Sequence, residues 1–467
     1  MSLYNFIDKH ILLPVGDLIY GSCIHRKLKE FRCNDKLTRE RILEIQNEKI
    51  RKLVFHCYEN VPYYRDVFTS RGLKPSDIQT GEDLYKLPIL TKQIIRDHYN
   101  ELFATNADAK RIIKSSTGGS TGTPIQFSKD AKEWSEQKAA TLRAWEWYGL
   151  RLGDKIFSLG GNSIVQKKNP FSLKNLYDMI IMRNIKHSSA DVTDEGMMAH
   201  YKSLMKLKPK AIRGYGSSIY ILARFIEKEH LPICPLKVIL TTGEVLVPEY
   251  RRKMEEVFNA PVFDEYGAGD GGILSHECTL RDGLHIEETL CYIEITDKKG
   301  NVLPDGTPGF VTTTDLENYV FPFLRYHVGD MAYIKPGECT CGLKSRRFGE
   351  VLGRAGRLVY NKQGVPISPT MFLFMMYPDL DYKKPENKIL YNKIDKFQIR
   401  QDKDGDIQIL MKMKDKADED KDIYDYVRIN YMKHFIDSSV FLFFVDEIPT
   451  LPSGKEDYCV SDFVYQE

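Results

Sequence analysis

Apolar residues recur at helical spacing among charged ones through residues 38–55, LTRERILEIQNEKIRKLV, and the pattern stops at Asn60, Val61 and Pro62. That spacing lays one apolar stripe along an α-helix, and the proline ends it. Residues 1–105 are predicted to be mostly helical. From about Arg111 the texture changes to short β-branched runs punctuated by glycine, alternating with helical stretches such as Lys132 to Tyr148 and Ile219 to Glu229. Alternation of this kind predicts α/β layers. Between residues 291 and 334 the runs CYIEIT, GFVTTTDL and MAYI are separated by turn signals, which predicts a mainly antiparallel β segment. QIRQDKDGDIQILMKM, Gln398 to Met413, reads as a hairpin turning at Asp404 and Gly405, and SVFLFFV, Ser439 to Val445, as a further strand. The last stretch therefore forms a small α+β domain of its own.

Composition narrows the functional classes. A chain of 467 residues allows two to four domains at roughly 100 to 200 residues each. With 67 Lys plus Arg against 65 Asp plus Glu, the net charge of +2 supplies no field for holding nucleic acid through its phosphates. The early apolar run NFIDKHILLPVGDLIYG is cut by Pro14, Gly16 and Asp17, and nothing approaches about 18 uninterrupted apolar residues, so neither a signal peptide nor a membrane span is expected. Nine cysteines without a secretory pattern fit a reducing, cytoplasmic setting and point to metal before disulfides.

SSTGGSTGTP, Ser115 to Pro124, follows the strand-like KRIIK. Its glycines leave backbone N–H groups uncovered and its hydroxyls add donors, which suits phosphate oxygens. It lacks the Gly-Lys-Ser/Thr ending of a nucleoside-triphosphate P-loop. Taken alone, it is equally a Ser/Gly surface loop.

Other segments, in order, resemble the adenylate-forming acyl-CoA synthetases, most closely the phenylacetate-CoA ligase family and within it the branch associated with capsular polysaccharide biosynthesis. They are the stretch from Tyr58 to Ala104, TTGE (Thr241 to Glu244), EYGAGDGG (Glu265 to Gly272), LRYHVGD (Leu324 to Asp330), GRAGR (Gly353 to Arg357) and IPTLPSGKEDY (Ile448 to Tyr458). The resemblance spans about residue 45 to the C-terminus; residues 1–40 carry no motif.

The resemblance implies a multidomain α/β protein with the adenylate-forming enzyme fold. Residues 1–354 would be a large adenylation domain with a β-barrel-like part, and residues 355–467 a small mobile C-terminal domain. It implies an ATP-dependent ligase that converts a carboxylic acid to its acyl-adenylate and passes the acyl group to a thiol, with ATP, Mg²⁺ and coenzyme A bound. Ser115, Ser116, Thr117, Gly118, Gly119, Ser120, Thr121 and Gly122 would cradle the phosphates. Gly243 and Glu244 would line the adenine pocket, Tyr266 would pack on adenine, and Asp264 would accept from its amino group. Asp330 would accept from the ribose hydroxyls, Arg354 would reach the ribose, and Lys455 would set a cation on the α-phosphate. Asp270 would hold magnesium, with Glu265 as the rival acid. The acyl pocket would lie near Tyr201 to Leu207 and Arg213 to Ser218. This sequence has Asp270 where the family usually has Glu, Gly269 for Thr, His327 for Arg, and Gly356 and Arg357 for the hinge aspartates. Two other readings stand beside the coenzyme A ligase: transfer to an amine or sugar in surface-polysaccharide assembly, and a nucleotide-binding protein without turnover. A homodimer is left open.

Cys278, His285, Cys339 and Cys341 flank the β segment. Three thiolates and an imidazole form a closed tetrahedral set suited to structural Zn²⁺. His276 is a rival fourth ligand, and buried free thiols are the alternative.

Overall fold

The computed structural model describes residues 3–109, 112–116, 125–160, 179–188, 194–246, 248–354, 359–360, 366–367, 393–416, 419, 424–425, 427–428, 431, 438–448 and 459–462. They divide into two compact units, one of residues 1–328 and 332–351, the other of residues 329–331 and 352–467.

The first unit opens with helices, as the spacing predicts. Thr38 caps the helix Arg39–Asn60, its hydroxyl accepting from the Arg41 N–H at 3.3 Å. The helix buries Ile42, Gln46, Ile50, Leu53, Val54 and Cys57, one face at spacings of three and four. Pro62 then starts the next helix, Pro62–Ser70, where its missing N–H costs nothing.

Among the described residues, thirteen strands follow in this part of the chain. The hairpin β1 (Ile112–Ser116) and β2 (Gln126–Asp130) stands apart as a two-stranded sheet. The rest are β3 (Ile156–Gly160), β4 (Asn184–Ser188), β5 (Ala211–Gly214), β6 (Val238–Thr242), β7 (Val262–Ala268), β8 (Ile273–Glu277), β9 (Leu284–Ile286), β10 (Cys291–Thr296), β11 (Gly309–Asp315), β12 (Tyr326–Ile334) and β13 (Arg347–Arg354). They form one eleven-stranded sheet in the order β10-β11-β12-β13-β9-β8-β7-β6-β5-β3-β4. Strands β3 to β7 pair in parallel, with a helix in sequence between β4 and β5, between β5 and β6 and between β6 and β7; from β7 to β8 the pairing turns antiparallel. The segment read as antiparallel β thus continues the α/β sheet.

In the second unit, β14 (Val359–Tyr360) pairs with β15 (Pro366–Ile367). The strands β16 (Ile394–Gln401), β17 (Ile407–Met413), β18 (Val440–Phe444) and β19 (Cys459–Ser461) form a sheet in the order β18-β17-β16-β19. β16 and β17 are the expected hairpin, with Gly405 at φ 85° in the turn. Ile407, Ile409, Met411 and Met413 alternate inward along β17. Among the described residues, no helix is long and apolar enough to cross a membrane.

Candidate active site and metal centre

β7 and β8 pair with Ala268 opposite Ile273, so the four residues between them must reverse the chain. Gly271 and Gly272 do this at φ 92° and 73°. A Cβ on Gly272 would lie 2.5 Å from the Asp315 carboxylate, which leaves room only for glycine. Asp270, held in this turn, is 7% exposed, and its Oδ2 accepts a 2.8 Å hydrogen bond from the Tyr326 hydroxyl. Two motifs 56 residues apart in sequence therefore meet at one carboxylate. Tyr326 carried no role in the sequence reading, although it sits in LRYHVGD; its companion Asp330 drew the attention. Asp330 is buried on β12 itself, one residue after Gly329, whose φ of 90° explains why the motif has glycine there.

Tyr266 meets Phe348 edge to face, the ring centroids 5.4 Å apart. Its neighbour Glu265 accepts from the Trp145 indole at 2.5 Å and from Arg213 Nε at 2.8 Å. Burial opposes the charge on Glu265, but Arg213 and these bonds outweigh it and hold the carboxyl below its usual range. Glu265, the rival magnesium acid, is therefore committed to an internal ion pair. Asp264 accepts from the Thr241 hydroxyl at 2.7 Å, and burial beside Glu277 pushes it up to about 8. Burial thus favours its neutral form, which can donate as well as accept. Gly243 turns the chain at φ 79° after β6, and Glu244 Oε2 accepts the Ser217 N–H at 3.0 Å. Ser217 lies in the first turn of the helix Gly216–Lys228, where a negative charge suits the helix dipole. Glu244 thus braces a helix end at the mouth of the parallel strands.

Ser115 and Ser116 close β1 opposite Phe127 and Gln126. Thr117, Gly118, Gly119, Ser120, Thr121, Gly122 and Lys455 lie outside the described residues, as does the side chain of Arg354, the last residue of β13. Tyr201, from the expected acyl-pocket helix, is half-buried and its hydroxyl donates to the Pro232 carbonyl at 2.9 Å. His327, left without a role, bonds Thr296 Oγ1 at 3.0 Å and stacks on Phe310.

The sulfur and imidazole ligands converge. One ligand atom from each of Cys278, His285, Cys339 and Cys341 lies within 4.8 Å of all the others. Cys278 Sγ is 3.8 Å from Cys339 Sγ, and Cys341 Sγ is 3.4 Å from His285 Nε2. β9 carries His285 opposite Arg347 of β13, bringing the Cys339 to Cys341 turn before β13 over Cys278, just past β8. His285 Nδ1 bonds Ser345 Oγ at 3.1 Å, which turns Nε2 toward the sulfurs. Burial works against a thiolate at Cys278, but His285 and the backbone N–H groups of Asp282 and Leu280 overcome it and lower its pKa. His276 is excluded from the set. It is buried with its Nε2 3.8 Å from Glu265, edge-on to Trp147, and burial pushes it down to about 4.

No family model matches the sequence. The phenylacetate-coenzyme A ligase of Thermus thermophilus is 28% identical over 349 residues, 72% of this chain and 75% of its own. Protein CapK of Staphylococcus aureus is 24% identical over 452 residues, 95% of this chain and 93% of its own. The chain is a homologue of the phenylacetate-coenzyme A ligases. A crystal structure of 2-hydroxyisobutyryl-CoA ligase in the postadenylation state, in complex with 2-HIB-AMP, superposes with a TM-score of 0.74 at 19% identity, covering 92% of this chain and 91% of that one. The fold is that of the adenylate-forming ligases.

Beneath the Gly269 to Gly272 turn, this ligase homologue buries a network that no motif announces. Lys129 of β2 reaches Glu133 Oε1 at 3.0 Å and Gln137 Oε1 at 3.2 Å, and its Nζ lies 3.9 Å from where a Cβ on Gly269 would stand. Glu133 and Asp315 meet carboxyl to carboxyl. Asp315 Oδ1 accepts the N–H groups of Glu317 and Asn318, but among the described residues no donor reaches Glu133 Oε2 or Asp315 Oδ2. Two facing acceptors without a donor imply one proton held between them. Burial pushes both groups above the ordinary carboxylate range, reinforced at Glu133 by the facing Asp315 and at Asp315 by the charge of Glu317.

A group whose folded pKa is raised contributes stability that is full at low pH and falls as pH climbs from the unfolded value to the folded one. Glu133→Gln supplies a permanent donor to Asp315, so it removes that fall. The variant should gain on the wild type as pH rises from about 5 to 8, reaching on the order of 2 kcal/mol in urea unfolding. Parallel stability curves across that range would show that the carboxyls share no proton.

Proposed function

We propose that this protein is an ATP-dependent, AMP-forming ligase that activates a carboxylic acid as its acyl-adenylate and transfers the acyl group to a thiol, that of coenzyme A. The observation that carries the reading is the Tyr326–Asp270 bond, which joins the two motifs assigned to metal and ribose. The adenylate-forming fold and the phenylacetate-coenzyme A ligase relatives support it.

In this reading Ser115 to Gly122 hold the phosphates, Tyr266 packs on adenine, and Gly243 and Glu244 border that pocket. Asp264, part acid and part acceptor, faces the adenine edge. Asp330 accepts two ribose hydroxyls at once, and Arg354 lies beside the sugar. Asp270 presents a hard carboxylate oxygen suited to Mg²⁺, which would offset charge on the phosphates when bound. The two compact units are the adenylation part and a C-terminal part that delivers Lys455. Three thiolates and one imidazole, closed and largely buried, fit a structural Zn²⁺. A protein of this kind works in the cytoplasm, where ATP and coenzyme A are.

The test is a panel of carboxylic acids scored for ATP-dependent release of AMP and pyrophosphate, with and without coenzyme A. Pyrophosphate release with no thioester would move the acceptor to an amine or sugar, and no release with any acid would leave a nucleotide-binding protein. Within that assay, Tyr326→Phe should raise the magnesium needed for half-maximal rate about tenfold, because an outer partner of a metal-holding acid is lost. Asp270→Ala should raise it further. Unchanged magnesium titrations for both would take Asp270 out of the site.

A further inference from the structure

Residues 3–20, for which the sequence offers no motif, form one continuous helix with its polarity reversed. Leu3–Ile7 and Leu13–Tyr20 are α-helical, and Asp8–Leu12 between them is a π-turn, with helical backbone angles at both joints. The wider turn accommodates Pro14, which has no N–H to give. In the first half polar side chains face the protein, and in the second Leu13 does. Asn5 donates to the Leu152 carbonyl at 2.8 Å and to Asp154 Oδ1 at 3.0 Å. Asp8 is fully buried, close to Gly153, and burial pushes its carboxyl up to about 7. The Tyr4 hydroxyl donates to the Ile180 carbonyl at 2.5 Å, and Arg183 lies over its ring. These anchors fix which way the helix faces.

Apolar side chains face outward. Leu3 is 77% exposed, Phe6 49%, Ile11 53%, Val15 48%, Leu18 84% and Ile19 65%. Met179 and Ile180, whose carbonyl meets Tyr4, are exposed as well. Across the π-turn both faces advance by five residues, Asp8 to Leu13 inward and Phe6 to Ile11 outward, so the extra residue keeps each stripe straight. An ordinary surface helix has the opposite arrangement, apolar side in. Burying Asn5 and Asp8 in order to expose six large apolar residues makes sense only if something apolar covers them.

Charge at the rim selects the occupant. Arg26 and Lys29, on the next helix Ile24–Asn34, are exposed, and His25 stands within electrostatic reach of His10, Lys29, Asp17 and Arg32. Asp17 is occupied in accepting the Ile24 and His25 N–H groups and the Ser22 hydroxyl, and Arg32 in pairing with Glu146. Glu30, exposed on the same helix, is paired with Lys27, so Arg26 and Lys29 leave the exposed charge of this helix net positive. We propose that the outward face of the Leu3–Tyr20 helix seats the protein on a bilayer surface containing anionic lipid. An in-plane helix buries its apolar side at the headgroup boundary while basic neighbours meet the phosphates. A second copy of this chain fits worse. A stripe one helix wide is of the few-hundred-Å² size that marks interaction patches, less than the roughly 800 Å² per partner of a stable dimer, and it would set two basic rims together.

The experiment is flotation of the full chain with vesicles of phosphatidylcholine alone and of phosphatidylcholine mixed with phosphatidylglycerol. The wild type should float with the mixed vesicles and progressively less as salt rises. Leu18→Glu with Ile19→Glu should reduce flotation about tenfold or more, with melting temperature and pyrophosphate release unchanged. Arg26→Glu with Lys29→Glu should abolish the preference for the anionic vesicles. Failure of the wild type to float, or equal flotation of the Leu18 and Ile19 double variant, overturns the proposal. So does a wild-type dimer in light scattering that the same double variant makes monomeric.

Discussion

Lys455→Ala is expected to lower acyl-adenylate formation by about 100-fold or more and to leave thioester formation from a synthetic acyl-adenylate largely intact. Attack of a carboxylate on the α-phosphate gathers negative charge on its non-bridging oxygens. An ammonium aimed at them stabilises the transition state more than the ground state, and so acts on rate above binding. The second half-reaction expels AMP and gathers no such charge at the same place, so a lysine brought in for the first step has nothing to do in the second. The sequence PTLPSGK would put this residue on a Ser-Gly turn, and it belongs to the second compact unit, whose long stretch starts at Leu352, just ahead of GRAGR. A unit that carries Lys455 in and then withdraws it predicts the asymmetry. The two half-reactions are measured separately, by pyrophosphate exchange and by release of AMP from added acyl-adenylate with coenzyme A. Equal loss of both in a folded variant would refute the swinging unit, and loss of neither would make Lys455 an ordinary surface lysine.

The second large effect is on the fold. The purified protein should contain about one zinc per chain, and Cys339→Ser with Cys341→Ser should remove it and destabilise the first unit by several kcal/mol. The reason is geometric. Cys278 and His285 come from adjoining strands, whereas Cys339 and Cys341 lie in the turn before β13, and the four ligand atoms converge within 4.8 Å. Without a cation, burial and its neighbours keep a proton on Cys341, and the turn loses its tie. Elemental analysis and thermal melting, with and without a chelator, check this, and His276→Ala serves as the control that keeps its zinc. A double variant with full zinc, or a zinc-free protein that melts unchanged, would leave the four residues as buried free thiols.

The four converging Cys and His residues could be picked out because Cys and His are scarce and chemically marked, though sequence could not separate His285 from His276. Only the pairing of β9 with β8 and β13 does that, by turning one imidazole to the sulfurs and enclosing the other with Glu265. Asp270 stood out in EYGAGDGG, whereas its hydrogen-bond partner Tyr326 was passed over because a tyrosine in a strand reads as core. The Glu133–Asp315 pair left no trace, since two acids 182 residues apart in number look like solvated surface until β11 and the helix Ala131–Trp147 are packed together.

By itself the sequence determined what depends on near neighbours along the chain. The apolar period of Arg39–Asn60, its Thr38 cap, the Gly405 hairpin and the positive-φ glycines of the motifs are set by backbone sterics and local burial, which act over a few residues. Tertiary structure alone decided the order of eleven strands, the ionisation of Asp264 and Glu133, and the outward turn of Leu18 and Ile19. Each of these depends on which distant surface removes a group from water. Asn5 and Asp8 look no different in sequence from any exposed polar pair; Leu152, Gly153 and Asp154, packed against them, put the apolar side of that helix in the solvent.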